Sequence, residues 1–288
     1  MVLRNPSSGP THQSCGAVLR EFPVRVHVRD CAIRLKERGG RYPADAPAVA
    51  PLSLRAQPPD RGPGYAAAMV SATDAPVIDL LGLIAAGELF AFETLARDSA
   101  LATDLNATSA LGAIACREFG HFQLVVARMR DSGADADAVI GAYLPILSEF
   151  HAKTAPRDLL EGLLKAYVGD GIAADFGREI AAYVDPQTRG FLDDVLSGSG
   201  QAEFVVPYVQ QALSQDPGSA GRLALWGRRL MGEALAQAQR VAADRPDLAE
   251  LVVGGGGQTG AGLAEFANML ARMTESHSAR MRSLGLAP

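Results

Sequence analysis

Residues 113–125 read Ala-Ile-Ala-Cys-Arg-Glu-Phe-Gly-His-Phe-Gln-Leu-Val and put Glu118 and His121 three residues apart inside an apolar helical pattern. Residues three and four apart share a helix face. Leu111, Ile114, Glu118, His121 and Val125 therefore form one stripe, in which a carboxylate and an imidazole interrupt apolar side chains. A carboxylate on a buried face is costly unless it is paired or bound to a cation. Glu-x-x-His on one helix is also how a four-helix bundle supplies both ligand types to a two-metal carboxylate site. Such pairs occur by chance on exposed helices too, so the reading depends on what the neighbouring segments carry.

The pattern around this stretch is helical from Pro76 onward. Thr73 or Asp74 suits a cap and Pro76 a first turn, which predicts a helix to about Ser99 with Leu81, Ile84, Glu88, Ala91 and Leu95 on one face. The next helix runs from near Asp104 to Ser132-Gly133, and a third from Asp135 to His151, kinked or broken at Pro145. Pro156 opens a long helix to Asp185, with Leu160, Leu163, Tyr167, Asp170 and Ala174 aligned, and Pro186 ends it. A further helix spans about Thr188 to Gln215, interrupted at Gly198–Gly200 and at Pro207. The last long one runs from about Ala220 to Asp244, with Leu223, Trp226, Leu230 and Glu233 inward. Almost nothing after residue 69 reads as strand. The expected fold is all-α, an antiparallel helix bundle with short turns and extra helices.

In an antiparallel hairpin, residues equidistant from the turn lie at one height. Glu88 is 15 residues before Thr103 and Glu118 is 15 after it. Asp170 lies 16 before Pro186 and Glu203 lies 17 after it, while Glu203 and Glu233 stand 14 before and 16 after Pro217. At about 1.5 Å per residue these mismatches stay within about one turn. The acids also fall on apolar faces, so they are expected to form one layer that repels itself unless cations are present. Ion pairs with Arg117, Arg228 or Arg229 are the alternative, and Arg228-Arg229 also suits phosphate contacts.

Composition divides the chain. Residues 1–68 hold 10 Lys/Arg against 5 Asp/Glu and nine of the seventeen prolines, whereas residues 69–288 hold 17 against 27. The first part is expected to be a disordered extension, or sequence upstream of a true start at Met69. Residues 69–250 are expected to form the bundle. Residues 251–288 would then be a Gly254–Gly257 linker and an amphipathic helix carrying Leu263, Phe266, Leu270, Met273, His277 and Met281. That helix is expected to dock on the bundle or on a second copy, as a homodimer. The acidic balance disfavours broad nucleic-acid binding. Cys15, Cys31 and Cys116 show neither disulfide nor zinc spacing, which suits a reducing cytoplasm. No uninterrupted run of about 20 apolar residues points to a membrane span.

Several stretches carry a resemblance: Gly87-Glu88-Leu89 with Phe92-Glu93, Glu118-Phe119-Gly120-His121-Phe122, Phe150-His151, Lys165 through Gly171, Ala202-Glu203-Phe204, and Gly227-Arg228-Arg229-Leu230 with Gly232-Glu233. In these the chain resembles the ferritin-like superfamily, in its MiaE-like branch of tRNA-modifying di-iron hydroxylases, from about residue 76 to 250. The resemblance implies an iron-dependent hydroxylase of one or two ions, with manganese as the substitute metal. It further implies an electron donor and a tRNA base or small molecule as substrate. Carried over by position, it makes Glu88, Glu118, His121, Asp170, Glu203 and Glu233 the metal-binding residues. The second Glu-x-x-His is missing: Val206 follows Glu203 by three residues, and Ala236, then Gln237, follow Glu233. One metal or an asymmetric pair fits what is left, and a non-catalytic ferritin-like protein with a structural or storage metal is the alternative. Tyr167 is a candidate to orient a ligand, and His151 is either a substitute ligand or a helix-end imidazole meeting free carbonyls.

Overall fold

A computed structural model describes residues 74–198, 200–253 and 259–288. The expected extension at residues 1–68 and the Gly254–Gly257 linker lie outside the described residues. The helices are α1 (Ala75–Asp98), α2 (Leu105–Asp131), α3 (Ala136–Gly141), α4 (Leu144–Lys153), α5 (Leu159–Ala181), α6 (Pro186–Val195), α7 (Gln201–Gln215), α8 (Ala220–Asp244), α9 (Pro246–Val253) and α10 (Thr259–Ser283). The all-α bundle is as expected.

Local chemistry explains the boundaries. The side chains of Asp104, Asp135, Asp158 and Asp185 accept backbone N–H groups at the starts of α2, α3, α5 and α6, each such cap contributing about 1 kcal/mol. Pro opens α1, α4 and α6 within the first two positions, where its missing N–H is not needed. The break expected at Pro145 falls instead at Ala142–Tyr143, because proline begins the new helix rather than kinking the old one. Short α9 was not foreseen, being only eight residues long.

α1 and α2 form a hairpin, and α5 packs against α1, α7, α8 and α10. The core between them includes Leu80, Leu111, Leu163, Leu164, Leu223 and Leu230, none more than 1% exposed. Burying each leucine is worth about 1.5–3 kcal/mol. The start of α5 is fixed by buried Glu161, whose carboxylate receives Arg157 and Arg222 and whose carbonyl receives the Trp226 indole N–H at 3.1 Å. Residues 75–101 are long and apolar enough to cross a membrane by length and composition. In the bundle, however, this segment turns Val77, Leu80, Leu81, Ile84 and Leu95 into the core.

Candidate metal centre

Glu88 comes from the middle of α1, and Glu118 and His121 come from one face of α2. Each offers a ligand atom, and these atoms all lie within 4.8 Å of one another. His121 Nδ1 is 3.4 Å from Glu88 Oε2 and 3.6 Å from Glu118 Oε2. Ligands bonded at about 2.1 Å stand roughly 3.0–3.5 Å apart when adjacent, so the spacing is close to that of a coordination shell. Glu88 is 7% exposed and Glu118 1%. Glu88 Oε2 is buried and receives no hydrogen bond, its nearest cationic group being His121 Nδ1 at 3.4 Å. A buried carboxylate oxygen without a hydrogen bond, set beside an imidazole and a second carboxylate, fits the donor set of a metal ion.

The electrostatics agree. Burial first, then Glu118 and Asp170, pushes the Glu88 carboxyl up to about 9, while contacts with Glu118 and Glu88 raise His121 to about 10. Glu88 therefore tends to keep its proton and His121 its charge, which lets the three groups stand together. Asp170 on α5 stands outside the 4.8 Å group. Burial and then the field of Glu118 push it up to about 7. It is only partly covered because it lines a cavity, which it shares with Glu88.

The remaining candidates go elsewhere. Glu203 is exposed in the first turn of α7, near the Arg117 guanidinium and Gly200. The register counted through Pro186 ran straight across the expected interruption at Gly198–Gly200, but Gly200 at φ +82° starts α7 afresh. The inward residue is then Gln201, 4% exposed, whose amide donates to Glu118 Oε1 at 2.7 Å. Glu233 sits at the edge of α8 and pairs with Lys153 at 3.7 Å. The inner line of α8 runs through Leu223, Leu230, Gln237 and Val241 instead. Gln237 is 5% exposed, lines the same cavity, and has neither amide atom hydrogen-bonded. Sequence reading missed both glutamines, although Gln237 stood beside the empty ligand position and the Gly-rich break pointed to a helix start at Gln201.

Tyr167 turns to Ser283 of α10 at 3.2 Å, away from the acids. Among the described residues His151 stacks on Phe90 with ring centres 4.8 Å apart and lies 3.2 Å from the Thr94 hydroxyl, and no helix-end carbonyl receives it. Arg228 reaches the carbonyls of Ala287 and Pro288, and Arg229 that of Lys153.

Residues 71–255 match the family model of a ferritin-like domain of actinomycetes. The chain belongs to this ferritin-like family. No match was found among curated proteins. Within the ferritin-like fold, the candidate centre of this chain draws three ligand-type residues from the α1–α2 hairpin. The facing helices α5, α7 and α8 present Asp170, Gln201 and Gln237.

Proposed function

We propose that this ferritin-like protein is a metal-dependent hydroxylase, with Glu88, Glu118 and His121 holding iron, or manganese, and Asp170 completing the set. The observation that carries the reading is the buried Glu88 oxygen, which receives no hydrogen bond, inside a three-residue ligand group that adjoins a cavity of about 210 Å³. Carboxylate oxygens with one imidazole suit such metals. Bound iron supplies oxygen activation there, fed by an external electron donor. The chain's own part is to fix the set: Gln201 orients Glu118, and the apolar cavity walls keep water from the reacting side. Kinship with the MiaE-like branch would make a tRNA base the substrate, whereas the acidic bundle supports a small molecule in a cytoplasmic setting.

A second reading, a non-catalytic ferritin-like protein with one structural or stored metal, is favoured by a different observation. Gln201 and Gln237 face the cavity where another acid and histidine would be needed for a symmetric pair of ions. Metal analysis of anaerobically purified protein, followed by its absorption spectrum under oxygen, separates the two. Bound iron with an oxygen-dependent spectral change supports the hydroxylase. Metal with no response to oxygen selects the second reading, and no metal uptake at all refutes both.

A further inference from the structure

The cavity has a second polar end that the metal reading does not use. Lys165 lies five residues before Asp170 on α5, about 7.5 Å along the helix, and Thr94 lies beyond Glu88 on α1. Lys165 is 4% exposed and donates to the Thr154 carbonyl at 2.8 Å, with its ammonium 5.6 Å from the centre of the Phe150 ring. Among the described residues no carboxylate stands within 4.0 Å of it, and buried Asp98 is felt only at longer range. Burial lowers the Lys165 ammonium to about 8, so it remains mostly charged at neutral pH. His151, beside it, is held neutral by burial, with its pKa near 3. This end of the cavity therefore presents one cation, the Thr94 hydroxyl and a neutral imidazole. The cavity wall is largely apolar, formed by residues such as Leu83, Ile84, Leu147 and Phe176, with the unpaired Gln237 amide set into it.

A buried ammonium whose nearest acid, Asp98, stands beyond ion-pair distance is a costly arrangement that an anion in contact would relieve. A volume of about 210 Å³ equals roughly seven waters, but walls this apolar hold water poorly. An organic anion meets all three features. We propose that the cavity binds a medium-chain monocarboxylate of about ten heavy atoms, its carboxylate on Lys165 Nζ beside Thr94 and its apolar body extending toward Glu88 and Asp170. The Gln237 amide is placed to receive a hydroxyl or carbonyl carried on that body. The carboxylate end of the site rests on Lys165 and Thr94, and stands whether or not the acids hold a metal.

The test is calorimetric titration of the full chain with octanoate, octanol and octylamine, each with and without a chelator. Octanoate is expected to bind one per chain, about tenfold or more tighter than octanol, with octylamine weakest and the chelator without effect. Lys165→Met is expected to weaken octanoate about tenfold while leaving octanol unchanged. Should that variant fail to fold, the ligand series on the unaltered protein decides by itself. Equal affinity for octanoate and octanol overturns the proposal, as does no octanoate uptake at about 1 mM. Octanoate binding that disappears with the chelator also overturns it, because the carboxylate would then be a metal ligand. Octanoate binding by a protein that takes up no metal leaves this site standing and removes the hydroxylase.

Discussion

Replacing His121 by alanine removes the group that stands 3.4 Å from Glu88 and 3.6 Å from Glu118. Without metal, the two carboxylates would face each other within 4.8 Å, a repulsion of about 3.5 kcal/mol at an effective dielectric of about 20. Because the Glu88 carboxyl is already pushed up to about 9, it holds its proton near neutral pH and relieves most of that repulsion. What remains is the loss of charge-assisted contacts, about 2 kcal/mol. In a body of this size that corresponds to a melting point lower by about 4–8 °C. With metal the difference widens. Free metal at about 100 times its dissociation constant stabilises the folded protein by about 2.7 kcal/mol, and binding a hundredfold weaker leaves about 0.4 kcal/mol. Calorimetric melting with and without Mn(II), alongside metal content, reads both effects. His151→Ala is the control and is expected to keep the full metal-induced shift, since His151 is engaged with Thr94 and Phe90. If His121→Ala retains the unaltered protein's metal content and its metal-induced shift, Glu-x-x-His is only an ion-pair network. The hydroxylase reading then goes with it.

Three further outcomes follow from the same contacts. Gln201→Leu removes a 2.7 Å donor from buried Glu118; urea unfolding should show a loss of roughly 1–3 kcal/mol, and an unchanged midpoint would mean that the amide contributes nothing. Burial holds His151 near 3, below its ordinary value, so between pH 6.5 and 3 the unfolded chain binds the extra proton. Stability is therefore complete above pH 6.5 and falls as pH drops, and melting of His151→Phe should be less acid-sensitive than the unaltered protein over that window. A chain beginning at Met69, two residues before the family match starts, is expected to melt cooperatively with the same helical signal, and loss of that transition would show that the N-terminal part is needed.

The helix order was legible because prolines, glycines and capping aspartates punctuate this chain strongly. The helix expected from about Ala220 to Asp244 is found at those bounds, its start fixed by the Asp216-Pro217-Gly218 turn before it. Glu88, Glu118 and His121 were legible because one short turn joins their two helices and makes height a matter of counting. Glu203 was misplaced for the same reason inverted: the count crossed the Gly198–Gly200 break, where positive φ at both glycines resets helix phase. Glu233 illustrates the finer limit. On a helix of 3.6 residues per turn, the position between Leu230 and Gln237 lies at the edge of the inner stripe, and the presence of Lys153 across the gap is a tertiary fact. Cavities leave no periodic trace, so Lys165, Thr94 and Gln237 could be placed only by the fold.

The family match stops at residue 255, yet α10 begins at Thr259. Met269, Met273 and Met281 are at most 2% exposed, and Met273 closes part of the cavity wall. A Cβ at Gly227 would overlap the Met281 thioether, and one at Gly171 would overlap Arg280, which binds Asp175 at 2.6 Å. The bundle is thus cut to the shape of a helix that the family's shared segment does not include. An excised domain ending at residue 255 would bare a methionine-shaped furrow along α5 and α8 and would behave as a fragment, with the peptide 259–288 as the piece able to restore it in trans.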